Sequence, residues 1–219
     1  RPPAQAMERR SDRHPRRRLD PATRQSDILT AAAEAFASEP YEQVSMAEVA
    51  RQAQASEALL YRYFGSKPAL YAEVLRTSLQ AIENRRRAAV AALVPKPSAR
   101  GQLTTAVEVY LDALAERTPA WATAILTGSN DPAEALPVRA EIRDQRLAAL
   151  RAIAAPQSVS EYALQGFLGF VDAACRVWIE RGCPEADRAE VAGAAVNALL
   201  GPADEGRSEA SRHGKFGRR

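Results

Sequence analysis

Two short helices three residues apart, each opened by its own cap, constrain this chain more than any other stretch. Ser45 followed by Glu48 has capping-box spacing, in which each side chain can satisfy a backbone N–H at a helix start, and predicts a helix from Met46. Met46, Val49 and Ala50 recur at three- and four-residue spacing and give that helix one apolar face. After Ala53-Gln54-Ala55, Ser56 is a second N-cap, with Glu57 at the positive end of the next helix dipole. Such a pair makes a helix-turn-helix. In its second helix Leu60 and Phe64 lie four apart and face inward, so Glu57, Ala58, Leu59, Tyr61, Arg62 and Tyr63 share the outer faces. The tyrosine hydroxyls there are at the reach of phosphate oxygens. Ser66 caps a third helix, with Lys67 at its start and Pro68 in its first turn. Helix starts attract phosphate, which places Lys67 to grip a DNA backbone.

The run Val44-Ser45-Met46-Ala47-Glu48-Val49-Ala50, then Ser56, Leu60-Tyr61-Arg62-Tyr63-Phe64-Gly65-Ser66-Lys67 and Ala69-Leu70, resembles the tetracycline-repressor (TetR) family of bacterial transcriptional regulators. The resemblance extends from roughly Arg24 to Leu75. It implies that Ser56 to Tyr63 form the recognition helix, with Tyr61, Tyr63 and Lys67 on phosphates and Glu57, Ala58 and Leu59 nearest the bases. Ser45, Ser56 and Arg62 complete the candidate DNA-binding set on the helices. The chain departs from the family pattern at Gln54, where a turn glycine is usual, and at Ala58-Leu59, where many members have Gly-Thr. The second departure favours apolar contact with a thymine methyl group.

Composition agrees with an all-α fold. Of 219 residues 46% are hydrophobic and only 6% aromatic, an aliphatic, alanine-rich make-up that suits helices. No run approaches the roughly eighteen apolar residues of a membrane span, and no leader peptide is evident, so the expected location is cytoplasmic. Charge is uneven: residues 1–18 carry seven Arg against Glu8 and Asp12, net +5, while residues 19–67 carry four cations against seven acids, net −3. An acidic reading module needs the arm to offset it. It is also the one feature favouring a rival reading, a helical binding protein without DNA affinity.

Along the chain, helices are expected at about 21–38, 66–93, 98–117, 121–126, from 133 or 138 to 154, 158–181 and 184–200, most ended by proline or glycine. Ser158 with Glu161 reads as another capping box. The organisation expected is a disordered arm over 1–18, a helix-turn-helix domain over 19–66, a helical ligand-binding and dimerisation domain over 67–202, and a disordered tail over 203–219. Arg17 and Arg18, beside Arg16, could enter a minor groove as arms of other helix-turn-helix proteins do. The Arg85-Arg86-Arg87 run and the pair Asp112 and Glu116 read as solvated faces.

The last two helices are more apolar than one core requires, and Gly166, Gly169, Gly193 and Ala194 permit close approach, so a two-fold four-helix homodimer is expected. A dimer suits a palindromic operator on double-stranded DNA. The resemblance further implies a cavity for a small effector among the later helices, lined by some of Tyr110, Trp121, Phe167, Phe170 and Trp178. An apolar lining favours a hydrophobic ligand. No cofactor, metal or catalytic residue is expected: both histidines, His14 and His213, fall in the tails, and Cys175 and Cys183 have neither zinc nor redox spacing.

Overall fold

The computed structural model describes residues 20–95 and 97–202. Arg17, Arg18, His14 and His213 lie outside the described residues, as do the arm and tail expected at the two ends. Among the described residues the chain is helical, with no strand: α1 (Pro21–Ser38), α2 (Met46–Gln52), α3 (Glu57–Phe64), α4 (Lys67–Ala91), α5 (Ala99–Ala115), α6 (Pro119–Thr127), α7 (Leu136–Ala154), α8 (Glu161–Glu180) and α9 (Arg188–Leu200), with 3-10 turns at Ala133–Ala135, Ala155–Gln157 and Glu185–Asp187.

Helix starts follow local chemistry. Asp20 accepts from the Ala22 N–H at 3.2 Å and Pro21 opens α1, where a missing N–H costs nothing. The side chains of Ser56, Ser66, Ser98, Thr118 and Ser160 cap α3, α4, α5, α6 and α8 in the same manner. Two capping boxes are not made. Ser45 stands at the N-cap of α2, but its side chain makes no cap bond, and the Glu48 carboxylate instead accepts from Arg51 Nε at 2.8 Å and Gln52 at 2.9 Å. Ser158 adopts φ 52° at the end of a 3-10 turn, so Ser160 caps α8 and Glu161 pairs with Arg151 at 2.6 Å. In both places a charge-assisted bond to a guanidinium takes the carboxylate that a neutral backbone N–H would have shared.

α1, α2 and α3 close over Ile28, Ala32, Phe36, Val44, Val49, Leu60 and Phe64. α4 follows α3 after the two residues Gly65 and Ser66 and packs against α1, α5 and α7, so its 25 residues join both ends of one continuous core. α8 lies on α9 and α6, and α9 on α5. The arginine run on α4 is not uniformly solvated: Arg86 turns inward to the buried Glu83 at 2.7 Å, and Arg85 pairs with Glu116 at 2.7 Å. No described helix is long and apolar enough to cross a membrane.

Candidate nucleic-acid interface and core cavity

α2 ends in a Schellman turn. The Ala55 N–H donates to Ala50 O at 2.9 Å and the Gln54 N–H to Arg51 O at 3.2 Å, which leaves Gln54 left-handed at φ 51°. The turn therefore has the glycine-type conformation without a glycine, and Arg24 Nη1 braces it by donating to Gln54 O at 3.3 Å. α3 starts where Ser56 Oγ accepts from the Leu59 N–H at 3.2 Å and stops at Gly65, φ 79°, which is open to solvent and needs no side chain.

This arrangement divides the nine candidate residues of the module in two. Ser45, Ser56, Glu57, Ala58, Tyr61 and Arg62 are exposed, whereas Leu59, Tyr63 and Lys67 are half-buried. Tyr63 donates its hydroxyl to Pro21 O at 3.4 Å. Lys67 donates to Glu42 O at 3.2 Å, and its ammonium lies 4.6 Å above the Tyr41 ring. The polar ends of both thus point at the α1 side of the module. Of its acids, Glu57 stands on α3 itself, Glu48 is paired with Arg51 and Gln52, which hold its carboxyl down at about 2, and Glu39 and Glu42 line a cavity facing α6.

In the body, Tyr110 of α5 and Phe167 of α8 line a cavity of about 50 Å³ with Leu103, Val107, Leu150 and Val171. Its polar end is a buried network. Glu83, 2% exposed, binds Arg86 at 2.7 Å and faces Arg146 at 3.8 Å; Arg146 reaches Asp172 at 3.3 Å, and the Tyr110 hydroxyl donates to Asp172 at 3.2 Å. The Arg146 guanidinium also sits 4.9 Å from the Tyr110 ring. Burial pushes the Tyr110 phenol upward and holds the neighbouring Cys175 thiol up at about 12. Both cysteines are free thiols.

The other three aromatics lie elsewhere. Trp121 borders a separate cavity near α1, Trp178 is packed with its indole N–H on Pro184 O at 2.9 Å, and Phe170 is 39% exposed on the outer side of α8. Sequence reasoning missed Glu83, Arg86 and Arg146. The first two continue the buried stripe of α4 from Leu75 through Leu79 and Ile82, and charged residues in that register are the signal that could have exposed them. The outer face of α8 carries Tyr162 (91% exposed), Phe170 and Val177 (43% exposed), with open space beside Gly166 and Gly169.

Residues 28–74, which hold this helix-turn-helix, match the model of the bacterial regulatory proteins of the tetR family. That segment is similar to the tetR family. Over 66 residues, 30% of its length, the chain is 42% identical to the HTH-type transcriptional regulator BetI of Agrobacterium fabrum, and it spans about a third of the length of that curated relative (31%). The wider likeness is one of fold. A tetR-family transcriptional regulator from Streptomyces coelicolor is 18% identical, with a TM-score of 0.66 over 82% of this chain and 79% of that one. The regulator FadR from Bacillus subtilis, solved in complex with stearoyl-CoA, is 19% identical with a TM-score of 0.65 over 82% of this chain and all of that one (100%).

Proposed function

We propose that this chain is a homodimeric transcriptional repressor that binds a palindromic operator on duplex DNA and leaves it when a small hydrophobic ligand enters the core. In this reading residues 19–66 are the DNA-binding domain, 67–202 the ligand-binding and dimerisation domain, and Arg17 and Arg18 an arm for the minor groove. The observation that carries it is α3: a capped helix braced on its inner side by Leu60 and Phe64, presenting Glu57, Ala58, Tyr61 and Arg62 to solvent at the edge of the molecule. Tyr61 and Arg62 are suited to phosphate and base edges, and Ala58 with the half-buried Leu59 to a thymine methyl. Dimerisation is supported by the exposed aromatic and glycine stripe of α8, which a second copy related by two-fold symmetry would cover.

For the ligand, the apolar lining around Tyr110 and Phe167 favours a hydrophobic molecule, and the stearoyl-CoA complex of the FadR neighbour supports that class. A cavity of about 50 Å³ is below the roughly 300 Å³ of ordinary ligand sites, so binding must enlarge it. A groove of about 600 Å³ between α4, α5 and α7 shares Arg86 and Ile153 with it and supplies the adjacent space. Entry from there presses on the Glu83–Arg86–Arg146 network and hence on α4, whose first residue is Lys67. A ligand releases DNA by preferring the conformer whose recognition helices are wrongly spaced.

The test is selection of bound fragments from a random duplex pool at low and moderate salt. One inverted repeat recovered at both salts is the expected result. Unrelated fragments lost as salt rises would overturn the sequence-specific reading.

A further inference from the structure

Between the end of α1, the α1–α2 loop, α4 and α6 lies a second cavity, of about 240 Å³. It is walled by Phe36, Tyr41, Tyr71 and Trp121. Tyr71 meets Phe36, Tyr41 and Trp121 edge to face with ring centres 5.1, 5.2 and 6.0 Å away, and Phe36 stacks on Tyr41 at 6.0 Å. Glu39 and Glu42 also line it, with the neutral Thr123, Thr127, Ser129 and Asn130 on the α6 side. Neither has an ion-pair partner among the described residues, and no lysine or arginine lines the cavity. Asp131, at the inner wall, is already neutralised by Arg139 at 2.5 Å and accepts the Tyr71 hydroxyl at 2.9 Å. The Tyr41 ring already holds a cation, the Lys67 ammonium, at 4.6 Å.

Aromatic faces carry negative quadrupole charge, and two carboxylates without counter-ions add to it, so this cavity favours a positive guest with an apolar body. Its volume equals about eight waters at about 30 Å³ each, enough for a compact molecule. We propose that it is a binding site for a small organic cation, an alkyl- or arylammonium, separate from the apolar cavity around Tyr110 and Phe167. The guest touches the N-terminal helices on one side and α6 on the other. It therefore ties the helix-turn-helix to the body beside an existing cross-link, the Thr118 hydroxyl donating to Ala37 O at 2.6 Å. It also contacts Tyr41 and Glu42, the two residues that hold Lys67.

The test is isothermal titration calorimetry of the full chain with phenyltrimethylammonium, benzyl alcohol and benzoate, which share a ring and differ in charge. The cation should bind, and the neutral and anionic probes should not. The exposed pair E39Q/E42Q should weaken it about tenfold, and Tyr41→Leu about fivefold, with unchanged circular dichroism. Equal binding of benzyl alcohol, no heat from the cation at millimolar concentration, or indifference to E39Q/E42Q in the folded variant would each overturn the proposal. No DNA is present, so the result stands apart from the operator reading.

Discussion

The three N-terminal helices and the six that follow are held together by different means. Around α1 to α3 the core is aliphatic and aromatic, and the one ion pair among the described residues of these helices, Glu48–Arg51, is exposed and local. The body instead encloses charge: Glu83, Arg86, Arg146 and Asp172 meet from three helices, and Asp131 binds Arg139, which also donates to Ala124 O and Ile125 O at the end of α6. The first arrangement is specified by neighbours in sequence. The second exists only once α4, α7 and α8 have assembled, and it makes the body sensitive to the loss of a single carboxylate.

The contrast can be broken most directly at Glu83. Glu83→Ala removes the buried carboxylate that Arg86 binds and Arg146 faces and should cost about 3–5 kcal/mol in chemical denaturation, whereas Glu48→Ala should barely move the midpoint. Leu60→Ala, the corresponding lesion in the N-terminal core, should cost about 3 kcal/mol by cavity formation and abolish operator binding with it. Next is the alkaline limb of stability. The Cys175 thiol is held near 12 in the fold and titrates near 8.5 when unfolded, so the native state keeps a proton that the unfolded state loses. Its stabilising contribution is complete below about pH 8.5 and declines up to about 12 by as much as about 1.4 kcal/mol per pH unit. Thermal melts from pH 8 to 11 should fall, and Cys175→Ala should flatten the slope.

Smaller effects sharpen the division of labour on α3. Tyr61→Ala and Arg62→Ala should each reduce DNA affinity about tenfold while leaving stability within about 0.5 kcal/mol, as measured by fluorescence anisotropy and melting in parallel. The tyrosine change should act alike on specific and random duplexes. The smallest is Gln54→Gly: relief of a left-handed non-glycine residue should raise stability by about 1 kcal/mol, and a fall would show that the Schellman turn is not strained.

What the sequence determined by itself is the set of elements whose causes are local. Asp20-Pro21, Ser56, Ser66 and Ser98 state where helices begin, and the three- and four-residue spacing of Ile28, Ala32 and Phe36, or of Leu60 and Phe64, states which face turns inward. A helix contains its own hydrogen bonds, so its ends and faces are legible without partners. Tertiary structure decided what depends on competition and distance. It gave the Glu161 carboxylate to Arg151 of the preceding helix in place of a capping box, and put Tyr110 and Phe167 on one wall while sending Trp121 to another cavity and Phe170 to the surface. It also drew Arg86 and Arg146 inward to Glu83. A charged residue on a helix reads as solvated until a partner far along the chain is brought within about 4 Å, because only the assembled fold removes the water that would otherwise hold it at the surface.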